Sequence, residues 1–335
     1  MLQQNASAHH LKVLDGWRGI SILLVLAAHL LPLGPSNLRL NETSGAAGMV
    51  IFFNLSGFLI TRALIDNPDI GKFLIRRLLR ILPLAWLSLT LVFIFANADA
   101  KVYLAHYFFY ANIPPIQLAD GLSHFWSLCV EMQFYIGIAT VILIFGNRAL
   151  YALPTLCLLA TAIRVYQHAY VDIVTIRRMD EILAGCVLAL IYQRYRKVNL
   201  EFISKYHYIA LLTLLAISSH PESGFFNYLR PYIAATLIGI SAIQSQTRVN
   251  KYLESSVLTY LATISYALYI IHGILSHTWL GTGDKLIKYM KRPLLFLATF
   301  FLAHISTRYY EAWFIALGKN ITKKMAARKN ATKSS

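Results

Sequence analysis

Leu14-Asp15-Gly16-Trp17-Arg18-Gly19-Ile20-Ser21-Ile22-Leu23-Leu24-Val25-Leu26-Ala27-Ala28-His29-Leu30-Leu31-Pro32-Leu33 carries the first apolar run of the chain, from Ile20 to Leu33. With its flanks it approaches the roughly 20 mostly apolar residues that a helix needs to cross a bilayer. No small-residue cleavage site follows, and further apolar runs do, including Ile81 to Ala96 and Pro293 to Ser306. The segment is therefore expected to stay as an anchor. Two ionisable side chains lie inside it. Arg18 and His29 are eleven residues apart, about three helical turns, which puts both on one face about 16 Å apart along the axis.

The rest of the chain agrees with lipid as its solvent. Of 335 residues, 57% are hydrophobic and only 14% charged, with a mean hydropathy of +0.54. Soluble domains carry roughly a quarter charged residues. The formal charge of +16 comes from 31 basic and 15 acidic residues. Lys and Arg sit between apolar runs and at the C-terminus, the pattern of cytoplasmic loops. No soluble basic stripe exists to meet a nucleic acid, so that partner is excluded. Cys129, Cys157 and Cys186 lie unpaired in apolar segments and read as small buried hydrophobes.

The expected fold is all-α, a polytopic membrane bundle of about ten transmembrane helices with a re-entrant or interfacial segment. Spans fall near 17–33, 47–66, 81–97, 126–146, 150–167, 179–194, 206–219, 229–245, 256–276 and 293–316. The aromatic stretch Val102 to Leu122, broken at Pro114-Pro115, is ambiguous. Leaving it as a non-crossing segment puts the basic clusters Lys72–Arg80, Arg194–Lys205, Arg248–Lys251 and Lys319–Lys333 on one side, with both termini cytoplasmic. Residues 1–318 form one transmembrane domain and 319–335 a basic cytoplasmic tail. No extramembrane stretch exceeds about 30 residues, too short for a domain of its own. Chemistry has to be done by the bundle.

An ionisable residue in a membrane helix is costly and so a functional candidate. For Arg18 and His29 the plain alternative is a snorkelling Arg and an interhelical hydrogen bond, but a His inside the membrane also suits general-base work on a hydroxyl. Asp15 can cap the same helix. Arg76, Arg77 and Arg80 precede the third span. They serve as a topology signal, as phosphate ligands, or both. Glu131 and Tyr135 lie one turn apart; the carboxylate either holds an Arg of another helix or orients a catalytic His. Arg178 can pair with Glu181 at i, i+3 beside Asp180, and Ser265, Tyr269 and His272 form a polar stripe on one helical face. The other histidines (His9, His10, His106, His124, His168, His207, His220, His277, His304) are scattered. There is no phosphate-cradling Gly-rich loop, no Gly-x-Ser-x-Gly elbow and no metal-ligand spacing, so no metal is expected.

Five of these segments, taken in order, resemble the membrane acyltransferase-3 family. They are Leu14 to Gly19 with His29, Phe52-Phe53-Asn54-Leu55-Ser56-Gly57-Phe58-Leu59-Ile60-Thr61, Arg76 to Pro83, Trp126-Ser127-Leu128-Cys129-Val130-Glu131-Met132-Gln133-Phe134-Tyr135, and Ser265-Tyr266-Ala267-Leu268-Tyr269-Ile270-Ile271-His272. Met132 stands where a second Glu is common in that family, Val50 where an acidic residue often precedes the Phe-Phe pair, and Arg77-x-x-Arg80 where Arg-x-Arg is frequent.

The resemblance implies a bundle of about ten helices in a bacterial inner membrane. It would use acyl-CoA, usually acetyl-CoA, from the cytoplasm to acylate a hydroxyl of a carbohydrate or glycolipid such as lipopolysaccharide O-antigen or exopolysaccharide. His29 matches the family's essential histidine, Arg18 its partner, and Glu131 the carboxylate of its block. Arg77 and Arg80, with Arg76, match the donor-binding region. Ser56, Tyr135, Arg178, Ser265, Tyr269 and His272 are the candidate substrate contacts. Membrane lipid is the other expected partner, and homo-oligomerisation is left open. The rival class is a transporter exporting an acylated glycan or small molecule, although the inverted repeats of many transporters are not evident.

Overall fold

The computed structural model describes residues 11–96, 98–195, 204–244 and 247–334. His9, His10 and most of the basic loop between Arg194 and Lys205 lie outside them. The described residues are helical, with no strand among them. The helices are α1 Lys12–Leu30, α2 Leu40–Asp66, α3 Ile70–Phe93, α4 Ala100–Tyr107, α5 Trp126–Phe145, α6 Leu153–Tyr166, α7 Met179–Tyr195, α8 Lys205–Ser219, α9 Arg230–Ile243, α10 Arg248–Leu253, α11 Ser256–Ser276, α12 Lys285–Met290, α13 Arg292–Ile305 and α14 Ala312–Ser334.

Among the described residues five helical stretches are long and apolar enough to cross a membrane: Lys12–Leu30, Ser36–Asp66, Ser123–Phe145, Asn147–Tyr166 and Ser256–Ser276. A sixth arises if Lys205–Ser219 and Gly224–Ile243, bent by 119° at their junction, count as one span. Leu91, Ile94, Phe95, Ile144, Phe145, Leu158 and Phe301 are apolar side chains facing outward, as lipid contacts require. The protein is a helical membrane protein. Val102–Leu122 forms no spanning helix: α4 has only eight residues, and turns follow it. The boundary expected at 318/319 falls within α14, so the basic tail continues a helix.

At the centre, α1 packs on α2 and α11, and α2 packs on α7. Two glycines bring α2 and α7 to backbone contact. A Cβ on Gly57 would stand 2.0 Å from the Ile182 carbonyl oxygen, and one on Gly185 would stand 2.0 Å from that of Asn54. Small residues at crossings of this kind let membrane helices approach closely enough to gain dispersion energy. On the other side, Gly16 and Gly19 of α1 lie against the carbonyls of Leu253 and Leu258. This clamps Arg18 between α2 and α11.

Local capping sets the ends of the elements that carry the site. Asp69 caps α3 by accepting from the Lys72 backbone N–H at 3.1 Å. The C-terminal carbonyls of α1 are covered from α2: Asn41 Nδ2 donates to Ala28 O at 2.7 Å and to Leu31 O at 2.6 Å. Pro83 breaks the hydrogen-bond ladder inside α3. Carbonyls next to the break are taken up by other helices: the Tyr266 hydroxyl donates to Ile81 O at 2.6 Å, and the Tyr310 hydroxyl to Pro83 O at 3.2 Å. A π-helical turn, Ser306–Glu311, joins α13 to α14 and sets Glu311 inward, buried and accepting from Ser306 and Thr307.

Candidate active site

Arg18 and His29 do share one face of α1: Arg18 is half-buried, and His29, in the last turn, is exposed where it lines a cleft. Arg18 lines a small cavity with Ser21, Val25, Met49, Phe52, Ser265 and Tyr269. His29 lines a second, wider one of about 290 Å³ with Val25, Met49, Trp126, Arg178 and Tyr269. Val25, Met49 and Tyr269 belong to both cavities, so these side chains lie between the guanidinium chamber and the imidazole chamber. The Arg18 chamber, at about 20 Å³, has room for little more than one water.

A third cavity, of about 300 Å³, opens at the basic end of the bundle between α3 and α14. Its lining includes Asn67, Lys72, Arg76, Arg77, Arg80 and Lys319. Arg18 lies within electrostatic reach of Arg77 and Arg80, and Glu131 opposes their charge on it. None of Arg18, Arg77 and Arg80 forms an ion pair among the described residues. Arg77 packs instead over the rings of Phe73 and Tyr135, and Arg76 donates to Thr322 Oγ1 at 3.2 Å. Unpaired guanidiniums within a membrane bundle are costly unless an anion joins them.

Glu131 belongs to this basic cluster, not to the histidine. Ser56 Oγ donates to Glu131 Oε1 at 2.5 Å, and the Tyr135 hydroxyl donates to the same oxygen. His29 finds a different partner: its Nδ1 lies 2.8 Å from Nε2 of His272. His272 is fully buried, and its Nδ1 faces the Leu268 carbonyl at 3.0 Å. Of the α11 stripe, Ser265 bonds back to Ala262 O, while the Tyr269 hydroxyl donates to His124 O at 2.5 Å and meets Ser127 Oγ at 2.6 Å.

Arg178 forms the expected pair with Glu181 at 3.1 Å, and Glu181 also holds Arg230 at 2.9 Å. Beside them Arg164 and Asp180 pair at 2.5 Å. This buried network ties α6, α7 and α9 together. It also fixes the Arg178 guanidinium 5.0 Å over the Trp126 ring in the wall of the His29 chamber. The rim of that chamber holds Glu42 and Asp172. Asp172 lies in the connection before α7. Its partial burial is outweighed by Arg177 at 2.7 Å and the backbone N–H groups of Val174 and Ile173, which hold its carboxyl below the ordinary value.

Several residues of the site were not singled out by sequence reasoning. His124 is buried, with its ring 5.5 Å from that of His272 and neither ring nitrogen hydrogen-bonded. It precedes a helix, where no periodicity marks its neighbours. Asn41, Asp172 and Lys319 are polar residues in segments that read as loop or tail. Among the described residues no cluster of His, Cys, Asp or Glu could hold a metal ion.

The fold and site thus define a membrane bundle with a basic mouth at one end and a histidine chamber toward the other. Comparison with known proteins gives its class. The chain matches the acyltransferase domain model of the acyltransferase-3 family over residues 11–307, and it belongs to that family. It is similar to the O-acetyltransferase OatA of Staphylococcus aureus strain NCTC 8325, 26% identical over 317 residues, covering 81% of this chain and 51% of the relative. OatA of strain COL matches to the same extent. The chain spans about half the length of these curated relatives. No solved structure matches it.

Proposed function

We propose that the protein is a membrane O-acetyltransferase that moves an acetyl group from cytoplasmic acetyl-CoA to a hydroxyl of a cell-surface or lipid-linked glycan. In this reading it resides in a bacterial inner membrane with both termini cytoplasmic. The observation that carries it is the Arg18–His29 face of α1. One side chain looks into a chamber beside the unpaired Arg77 and Arg80, the other into a chamber open toward the opposite end, with Val25, Met49 and Tyr269 between. Family membership and the O-acetyltransferase relatives support the same reaction class.

In this mechanism the donor's phosphates sit at Arg76, Arg77 and Arg80, where guanidiniums take phosphate oxygens in a bidentate way. The thioester arm passes Arg18 and brings its carbonyl to His29. His29 Nε2 takes the proton of the acceptor hydroxyl as that oxygen bonds to the carbonyl carbon; the C–S bond breaks and the thiolate leaves with the proton from His29. Arg178 and Trp126 form the wall that an acceptor would meet. Met49 and Phe52 have to move to admit the arm, because the Arg18 chamber is too narrow for it.

The test is transfer of radiolabelled acetyl from acetyl-CoA to a glycan hydroxyl by purified protein in detergent. Transport needs a sealed membrane and chemistry does not, so activity in detergent separates this reading from the transporter. His29→Ala should abolish transfer and leave the protein monodisperse. Wild-type activity in that variant would remove the base assignment.

A further inference from the structure

The two histidines that meet across α1 and α11 define the tautomer of the first. A neutral imidazole has one N–H donor and one acceptor nitrogen. His272 is wholly buried and 3.0 Å from the Leu268 carbonyl through Nδ1. A carbonyl only accepts, so His272 Nδ1 carries the proton and its Nε2 is left with a lone pair. That lone pair lies 2.8 Å from His29 Nδ1. His29 must therefore donate from Nδ1, and its own lone pair is on Nε2.

The ring geometry agrees. The ring planes are within 8° of each other with centroids 5.1 Å apart. The 2.8 Å separation plus the two ring radii accounts for that distance, so the rings meet edge to edge in one plane rather than face to face. His272 is itself held in place. The His124 ring occupies the space where a Cβ on Gly273 would stand, 2.2 Å from its atoms, and backs His272 at 5.5 Å between centroids. The donor and acceptor of every nitrogen in the chain Leu268, His272, His29 are thus assigned up to the last one, Nε2 of His29, a residue that lines the cavity.

We infer that His272 is a positioning residue that fixes His29 as the Nδ1–H tautomer, so that its Nε2 lone pair is presented to the acceptor hydroxyl. His272 touches neither donor nor acceptor in this role. It keeps the basic nitrogen directed into the chamber and accepts the Nδ1–H as charge develops on His29. The role corresponds to that of a carboxylate behind a catalytic imidazole, filled here by a second imidazole. This inference rests on His29 being the base of the proposed acetyl transfer.

The residues facing this pair are Tyr269 on α11 and His277 just past its end, His124 before α5, Glu42 of α2, and Asp172 and Arg178 from the connection into α7. Substitutions of His272 alone separate its role from theirs. His272→Gln puts an amide oxygen near the place of Nε2 and keeps an acceptor for His29; His272→Leu removes it. General-base catalysis contributes about 10²- to 10⁴-fold in rate, and losing the partner that fixes the base's tautomer can remove about 10⁴-fold. His272→Leu should lower kcat by about 100-fold or more while the KM for acetyl-CoA stays within about twofold. His272→Gln should recover to within about tenfold of wild type. A His272→Leu protein with wild-type kcat would overturn the inference, as would equal losses in Leu and Gln variants of unchanged thermal stability.

A second measurement needs no His272 variant. Nitrogen NMR of protein labelled at histidine, with His29 assigned by its loss in His29→Ala, should show His29 protonated at Nδ1 and bare at Nε2. The opposite tautomer would refute the inference even where transfer is intact. Failure of the acetyltransferase reading has a different signature: His29→Ala would retain activity, or wild type would show none, whichever tautomer is seen.

Discussion

Ser56 and Glu131, 75 positions apart, meet at 2.5 Å, and Tyr135 donates to the same carboxylate oxygen. Two hydroxyl donors on Oε1 fix the carboxylate, and its charge acts on both Arg18 and Arg80. Glu131 is thus part of the balance of charge around the donor path. It stands close to the arginines without consuming any of them in an ion pair.

Glu131→Gln should therefore weaken the unliganded protein more than the donor-bound one. The arginines lose an opposing charge and both hydroxyl donors exchange a carboxylate oxygen for a weaker amide acceptor, a cost of about 1–3 kcal/mol. Thermal unfolding in detergent should show a lower midpoint and a larger upward shift on adding CoA than wild type shows. Equal shifts in the two proteins would place Glu131 outside the donor path.

Lys319 lines the basic cavity with Arg76, Arg77 and Arg80 although it lies in what reads as a solvated tail. If phosphates occupy that cavity, Lys319→Gln should raise the KM for acetyl-CoA about threefold to tenfold, the range of an exposed ion pair of about 1 kcal/mol. kcat should not change. Arg77→Gln should act in the same direction and more strongly. Donor KM values unchanged in both variants would assign these cations to topology alone.

The part of this site that follows helical periodicity was legible from the chain. Eleven residues return to the same face of a helix, so Arg18 and His29 had to look the same way once α1 was recognised. The spacing of Ser265, Tyr269 and His272 likewise gave a face. It gave no neighbour: His272 meets His29 across 243 positions, and Glu131 meets Ser56 instead of a histidine. Such pairings are set by which helices pack together, and the glycine contacts that decide this are scattered single residues. Val102–Leu122 could be read as non-crossing only from the placement of the basic clusters, because its aromatic residues serve a short helix and the turns after it. The place of Lys319 was hidden because a helix that leaves the bundle and one that folds back on α3 have the same basic composition.

The α2–α7 crossing can be tested at one atom. A Cβ on Gly57 would stand 2.0 Å from the Ile182 carbonyl oxygen, and backbone cannot yield as a flexible side chain does. Gly57→Ala should destabilise by about 1–3 kcal/mol, the range for overpacking. Gly137 on α5 has nothing within 4 Å of an added Cβ. Gly137→Ala is the control, expected to leave the unfolding midpoint unchanged or slightly raised by the better helix propensity of Ala. A Gly57→Ala protein as stable as that control would mean that the two helices are not held at this distance.

The buried ion network makes the sharpest prediction about stability. Arg164 and Asp180 are each fully buried and 2.5 Å apart, and Asp180 carries a second oxygen with no hydrogen-bond donor. Asp180→Asn would leave the Arg164 guanidinium without its counter-charge in a low-dielectric interior, at a cost of about 3–5 kcal/mol. Replacing both partners, as Arg164→Met with Asp180→Leu, removes the stranded charge and should recover most of that loss. Glu181 keeps Arg178 and Arg230 in either case, so acetyl transfer by the double variant should stay near wild type at temperatures where it is folded. If the double variant were stable but inactive, the Arg164–Asp180 pair would belong to the chemistry and not only to the packing of α6 on α7.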